Sequence, residues 1–274
     1  MKTALTIAGS DCSGGAGIQA DLKTFSAHGV FGMSAVTAVV AENTCRVISI
    51  QDIPPRIIQD QITAVFEDIG ADAVKVGMLS GAETMEAVAE SLRRYAPPHT
   101  VIDPVMVAKG GCSLMEQSAL DTLIRRIIPL AEVLTPNIPE AETIVGASLT
   151  TKAQLEEACR KIHAMGAKYV LLKGGHLSAE QDAEDMLFDG KEFFTFTTRR
   201  IPTKNTHGTG CTFSSAIAAN LALGKPVVEA VEQSKQYITT AIAHALPLGK
   251  GHGPTHHFYD VYTRGLSDRQ DGSK

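Results

Sequence analysis

Short apolar runs alternate along this chain with longer stretches in which apolar positions recur at helical spacing. The first run, Ala4-Leu5-Thr6-Ile7-Ala8, reads as a buried strand and ends in a glycine-rich turn, Gly9 to Gly17. A helical segment from Ile18 to about Ala27 follows, so the chain opens as strand, glycine turn, helix. Ser34 to Val40 and Val47 to Ile50 are the next strand-like runs, and Pro54-Pro55 closes them before a helix over Ile57 to Ile69. Ala73-Val74-Lys75-Val76 reads as a buried strand. Ser80 and Glu83 have the spacing of a capping box, and the helix they open places Met85, Val88, Ala89 and Leu92 on one face.

Val101-Ile102 is the next strand, ending at Asp103-Pro104, and the glycine-rich loop from Val105 to Ser113 is expected to be mobile. A helix over Ala119 to Ile128 then leads to the strand Glu132 to Leu134 and the turn Thr135-Pro136-Asn137. Thr151 with Gln154 caps a helix carrying Leu155, Ala158, Cys159 and Ile162. Strand Tyr169 to Leu172 ends at Lys173-Gly174-Gly175-His176, and Asp189-Gly190 joins Met186–Phe188 to Phe193–Phe196 as a hairpin. The small-residue turn from Thr203 to Thr212 runs into a helix over Phe213 to Leu221. A long amphipathic helix follows, with Val227, Ala230, Val231, Ser234, Tyr237, Ile238, Ala241, Ile242 and Ala245 on one face. Strands alternating with helices predict an α/β fold, a mostly parallel central sheet between helix layers. We read one domain over residues 1–263, with a polar, frayed tail over 264–274.

Composition narrows what such a fold does. The 274 residues are 44% apolar, enough for a substantial core. A net charge of −5 and a pI near 6.0 give no electrostatic footprint for nucleic acid or an anionic membrane. The five cysteines are odd in number, scattered and free of any CxxC pair, which argues against a disulfide framework or a zinc site and suits a reducing cytoplasm. The apolar run Ala4 to Ala8 is too short for a signal-peptide core, and no run reaches membrane-spanning length, so the expected location is cytoplasmic.

The residues that carry chemistry fall at strand ends, where open α/β sheets bind ligands. Gly9 to Gly17, Glu42-Asn43, Gly77-Met78, Asp103, Asn137, Lys173 and the turn Gly208-Thr209-Gly210-Cys211 should share one rim. That last turn feeds a helix N-terminus, where free N–H groups and the helix dipole favour an anion, phosphate above all. Cys211 would sit in the first helical turn, where the dipole favours thiolate. Gly and Thr also make ordinary helix starts, and a small apolar cysteine in a helix is more often packing. Asp103, Asn137, Glu140 and Lys173 beside an anion cradle are what a metal-nucleotide site requires. Gly9 and Gly14 have P-loop spacing, but Gly15 and Ala16 stand where that motif needs Lys and Ser/Thr. Gly15-Ala16-Gly17-Ile18-Gln19-Ala20 matches the loose dinucleotide fingerprint, with Glu42 as the ribose acid, so an NAD(P)-binding oxidoreductase is an alternative. His252, His256 and His257 could suggest a metal but lack helical i,i+4 spacing, and a closing loop is the milder reading.

Taken together these motifs resemble a known family. Ala8-Gly9-Ser10-Asp11 with Ser13 to Phe25, Val76 to Leu79, Asp103 to Met106, Thr135-Pro136-Asn137, Lys173 to His176 and Thr206 to Thr212 are similar to the hydroxymethylpyrimidine/phosphomethylpyrimidine kinases of thiamine biosynthesis, in order from residue 3 to about 258. The resemblance implies a ribokinase-like three-layer α/β/α sandwich, ATP with Mg2+, a homodimer, and two successive phosphorylations of a small pyrimidine. Position by position it puts Gly9, Asp21, Glu42, Met78, Val105 and Cys211 around the pyrimidine, and Asn137, Glu140, Lys173 and Thr206 on the nucleotide side. Asp103 and Glu140 would hold the metal, Cys211 would accept the hydroxyl proton, and the backbone of Gly208, Thr209 and Gly210 would hold the developing charge. Lys109 is the expected cationic partner of the incoming monophosphate. The chain departs from the family at Glu42, where glutamine is usual, which changes a donor–acceptor amide into a carboxylate. Ala108 replaces the cysteine of relatives that also phosphorylate pyridoxal, and a pyridoxal-type vitamin kinase is the second reading.

Overall fold

The computed structural model describes residues 1–108, 111–174 and 182–270. Its core is an eight-stranded sheet in the order β10-β9-β8-β7-β6-β5-β1-β2. These strands are β1 (Thr3–Ala8), β2 (Phe31–Val36), β5 (Ala73–Val76), β6 (Thr100–Ile102), β7 (Val133–Leu134), β8 (Tyr169–Lys173), β9 (Asp182–Phe188) and β10 (Phe193–Arg199). Pairing is parallel from β2 to β8, while β9 runs antiparallel to both its neighbours.

The two-residue period of the strands sorts their side chains onto two cores. Leu5, Ile7, Val74, Val76, Ile102, Leu134, Val170 and Leu172 join one cluster. It is covered by α2 (Pro55–Phe66), α3 (Ala82–Tyr95), α5 (Ile138–Val145) and α6 (Lys152–Ala164), which contribute Ile58, Ile62, Met85, Val88, Ile144 and Ile162. Ala4, Ala73, Val101, Val133 and Leu171 face the other way, against α1 (Gly17–Ala27), α7 (Thr209–Ala222) and α8 (Val227–Ala243). This is the three-layer α/β/α arrangement that the apolar periodicity predicts. Among the described residues no helix is long and apolar enough to cross a membrane.

Of five local departures, four have identifiable causes. The run Ser34 to Val40 is broken at Thr37, whose N–H donates to Ala8 O and whose Oγ1 donates to Met78 O. The chain there leaves the main sheet, and β3 (Ala38–Glu42) pairs antiparallel with β4 (Val47–Asp52) as a separate hairpin. The second helix starts at Pro55 because a proline at the first helical position loses no bond and is pre-set in φ. The region read as a helix over Ala119 to Ile128 is irregular: 3₁₀ at Gln117–Ala119, one α-turn α4 (Leu120–Thr122), π at Leu123–Ile127 and 3₁₀ at Ile128–Leu130. Pro129 has no N–H to donate, and its ring would clash with a carbonyl four residues back in a regular helix. Finally, α3 is capped by Gly81 without a side-chain bond, and Ser80 Oγ instead donates to Asp52 Oδ1 at 2.6 Å. The segment read as a tail from Arg264 lies, as far as Gln270, in the final helix α9 (Tyr259–Gln270).

The box at Thr151 does form, with Thr151 Oγ1 accepting from Gln154 N and the Gln154 side chain returning to Thr151 N. Thr151→Ala should therefore lower the stability measured by urea unfolding by about 1 kcal/mol. Ser80→Ala should stay within about 0.5 kcal/mol of the parent. Equal losses would contradict the assignment of the caps.

Candidate active site

The parallel strands β1, β5, β6, β7 and β8 end side by side, so the residues that follow them form one rim. Beyond it lies a cavity of about 870 Å³. Gly9, Glu42, Met78, Asp103, Val105, Asn137, Glu140, Lys173, Thr206, Gly208, Thr209, Gly210 and Cys211 all line it. Asp21 does not: it is fully buried beneath the floor, and Lys75, which sequence reading passed over, lines the cavity in its place. Lys109, Gly175 and His176 lie outside the described residues.

The turn before α7 runs into a helix N-terminus, as its composition predicts. Gly208 caps α7 in the left-handed region at φ 75°, and no side chain caps the first turn; the Thr209 N–H donates to Thr206 O at 3.4 Å, which leaves the N–H groups of Gly210 and Cys211 for a ligand. A Cβ at Gly208 would sit 1.8 Å from Gly15 O, so this turn packs backbone to backbone on the first glycine loop. Gly210 faces the opposite wall, where a Cβ would meet Asp103 Oδ2 at 3.4 Å and Lys173 Nζ at 3.5 Å. Lys173 Nζ donates to Asp103 Oδ1 at 2.7 Å, and Thr135 Oγ1 to the same oxygen at 3.0 Å. Asn137 caps α5 in a full capping box, so Glu140 Oε2 accepts from Asn137 N at 2.8 Å and the acid is held at the helix start.

A pair absent from the sequence reading organises the first loop. Asp11 Oδ2 accepts from Gly15 N, Ala16 N and His207 Nε2 at 2.9, 2.7 and 2.8 Å, and Oδ1 accepts from Ser13 N at 2.7 Å. Burial pushes the Asp11 carboxyl up, but the bonds from His207, Ser13 and Ala16 outweigh it and hold its pKa well below the usual range. The N–H groups of the G-x-G-x-x-A stretch that a dinucleotide pyrophosphate would need are thus occupied by a carboxylate. That removes the physical basis for the oxidoreductase alternative.

Charge in the cavity is set chiefly by burial. Glu42 is pushed up to about 7 by desolvation and by Asp11, with His207 opposing. Glu140 is pushed up to about 7 by desolvation, with Lys173 opposing and Asp103 reinforcing the shift. Burial also tends to lower Lys173, but Asp103 and Glu140 raise it above the usual lysine range. Cys211 corrects an expectation: burial pushes its thiol up to about 11, outweighing Lys75 and the Gly17 N–H, so the ligand-free site holds a thiol and no thiolate at neutral pH. The helix dipole does not prevail because desolvation of the half-buried sulfur in the cavity wall outweighs it.

The final histidines diverge. His257 Nε2 meets Thr212 Oγ1 at 3.0 Å, His252 Nδ1 meets Lys204 O at 2.8 Å, and the His256 N–H donates to Ala241 O. Their segment closes against the cradle, with the His207 N–H donating to Gly253 O at 3.1 Å. Among the described residues, the one group of His, Cys, Asp and Glu atoms close enough to hold a metal is Asp11, Glu42 and His207.

Comparison with known proteins matches this geometry to a family. Residues 11–256 match the family model described as phosphomethylpyrimidine kinase. The chain is 54% identical over 253 residues to the thiamine biosynthesis bifunctional protein ThiED of Geobacter sulfurreducens, covering 92% of this chain and 51% of that protein, about half its length. It is 48% identical over 268 residues to the hydroxymethylpyrimidine/phosphomethylpyrimidine kinase of Haemophilus influenzae, covering 96% and 98% of the two chains. Among solved structures it is similar to an ADP complex of Bacillus subtilis pyridoxal kinase (TM-score 0.88, 40% identity, 95% and 99% covered). It is also similar to phosphomethylpyrimidine kinase from Clostridium difficile (TM-score 0.79, 48% identity, 88% and 100% covered).

The raised acids fix the sign of a pH dependence. The folded, ligand-free protein keeps protons on Glu42 and Glu140 up to about pH 7, whereas the unfolded chain loses them near 4.5. Between these values the folded state binds more protons, so stability falls as pH rises. Urea midpoints should decline from pH 5 to 8, and Glu140→Gln should remove part of that decline, on the order of 2 kcal/mol at pH 8. An unaltered slope in the variant would contradict the buried, protonated acid.

Proposed function

The chain belongs to the phosphomethylpyrimidine kinase family, and on that premise we propose that it transfers the γ-phosphoryl group of ATP to the hydroxymethyl group of 4-amino-5-hydroxymethyl-2-methylpyrimidine. The resulting monophosphate is then phosphorylated to the diphosphate, and both steps serve thiamine biosynthesis. The observation that carries this reading is the uncapped α7 N-terminus facing the Asp103–Lys173 pair across one cavity. It offers backbone donors on one side of a phosphate and an ammonium on the other.

On this reading the pyrimidine lies toward Gly9, Glu42, Met78 and Val105, with its hydroxymethyl group at Cys211. The nucleotide lies toward Asn137, Lys173 and Thr206. Cys211, once its thiol has given its own proton to solvent, takes the hydroxyl proton as the oxygen attacks in line, and the backbone of Gly208 to Cys211 holds the charge that develops. Asp103 and Glu140 are hard oxygen donors sharing a single ammonium, a donor set that fits Mg2+. Bound there, the ion would neutralise charge on the phosphate oxygens. Protonated Glu42 presents one donor and one acceptor, as an amide does, which reconciles this position with its usual glutamine. Lys109 remains our proposal for the cation that meets the monophosphate. The exposed apolar residues Ile48 and Ile50 on one face of the β3–β4 hairpin, 64% and 37% accessible, support a homodimer.

The similarity to pyridoxal kinase makes pyridoxal the acceptor to test beside the two pyrimidines. ADP release with MgATP should be seen with both pyrimidines, and turnover of pyridoxal alone would overturn the substrate assignment. The two steps also separate at Cys211. Because the thiol must lose its proton before it can act as a base, the first step should rise more steeply with pH between 6 and 9 than the second, whose nucleophile is already an anion. Cys211→Ala should slow the first step by about a hundredfold or more and the second by less than about tenfold in single-turnover assays. Equal losses would exclude Cys211 as the base.

A further inference from the structure

Four polar groups meet under the cavity floor where the neighbouring rows are apolar. Thr6 and Lys75 are register partners on β1 and β5, on the face that carries Ala4 and Ala73 toward α1 and α7. Asp21 of α1 lies between them and saturates its carboxylate. Oδ2 accepts from Thr6 Oγ1 at 2.6 Å and Lys75 Nζ at 2.8 Å, while Oδ1 accepts from Ser215 Oγ at 2.6 Å and Lys75 Nζ at 3.0 Å. Both side chains of the ion pair are 0% exposed. A pair so buried seldom repays its desolvation in stability, and apolar residues of similar volume would serve a core as well or better. Its position is the informative fact. Ser215 stands one helical turn beyond Cys211, on the same face of α7, and Lys75 and Cys211 both line the cavity.

We propose that Lys75 is a positioning residue of the phosphoryl-transfer site: through Asp21 and Ser215 it fixes the first turns of α7 against the floor and places a buried ammonium beside the Cys211 thiol. The inference rests on the functional reading above, in which Cys211 takes the hydroxyl proton. The groups whose charge or hydrogen bond acts on the thiol are Lys75 from β5, which lines the cavity with it, Asp21 and the Gly17 N–H from α1, and Asp103 after β6. Lys75 and the Gly17 N–H favour loss of the thiol proton, whereas burial and the two carboxylates oppose it. The backbone makes room for the ammonium: a Cβ at Gly77 would come within 2.8 Å of Lys75 Nζ and 3.0 Å of Ala8 Cβ. Asp21 accordingly acts on the substrate through α7 and Lys75, without lining the cavity.

Two variants test this from opposite sides. Gly77→Ala keeps every charge and displaces the ammonium, while the double variant Asp21→Leu/Lys75→Met removes the pair and leaves a neutral core. The readouts are urea unfolding, kcat and KM for ATP in each step, and the rate at which iodoacetamide modifies Cys211 at pH 8, with exposed Cys12, Cys45 and Cys112 as internal references. The double variant should fold and lose about ten- to a hundredfold in first-step kcat while its KM for ATP stays within about twofold. Modification of Cys211 should slow several-fold in both variants, with the reference cysteines unchanged. A folded double variant with parental kcat and parental Cys211 reactivity would overturn the proposal and leave the pair as a core contact. If the double variant does not fold, Gly77→Ala decides by the same readouts. Should the parent protein turn over no acceptor, the functional reading fails, but the Cys211 modification rates still decide whether Lys75 acts on the thiol.

Discussion

Two glycine-broken turns, one near the start of the chain and one before α7, must meet with no Cβ between them, and the Asp11 carboxylate holds them there. Gly208 presses on the Gly15 carbonyl. That approach is stable because the same carboxylate that ties down Gly15 and Ala16 also takes His207, the residue preceding Gly208. A fully buried carboxylate with these partners is costly to break and leaves little freedom to either loop. The cradle is thereby set before any ligand arrives, which is what electrostatic preorganisation requires.

From that clamp the rest of the cavity follows as a problem of placing carboxylates out of water. Asp11 is compensated by backbone N–H groups and a histidine, Asp103 by Lys173 and Thr135, Asp21 by Lys75 and two hydroxyls, and Asp185 by Lys235 and the Gly174 N–H. Glu42 and Glu140 are left with the weakest compensation and answer by holding protons. These two acids lie where the proposed reaction brings a pyrimidine and a divalent cation. The site is built to receive charge and hydrogen-bonding groups that the ligand-free protein lacks.

Much of this was legible in the chain because strand ends announce themselves. Apolar runs stop at Gly9, Gly77, Asp103, Asn137 and Lys173, and parallel order brings those stops together whatever the details of the helices. The pairings beneath the rim were not legible, because they join residues far apart in sequence: Asp11 and His207 are 196 positions apart, and Asp21 and Ser215 are 194 apart. One signal was present and passed over. A lysine inside the four-residue buried strand Ala73–Val76 has no business there without a buried partner. Ser80 and Ala119 to Ile128 misled for local reasons, a hydroxyl drawn to Asp52 and a proline that broke the helical ladder. At Cys211 the helix dipole and the burial of the thiol act in opposite directions, and burial, a consequence of packing that the sequence does not show, sets the sign.

The site depends above all on the coupling of the two turns. The most direct measurement is amide hydrogen exchange, residue by residue, in the ligand-free parent and in Asp11→Asn. A single acceptor oxygen at position 11 cannot serve Ser13, Gly15, Ala16 and His207 together, so exchange should quicken both over residues 13–16 and over residues 207–212. Faster exchange confined to residues 13–16, with the turn before α7 unchanged, would show that the cradle stands without the clamp and would contradict the account.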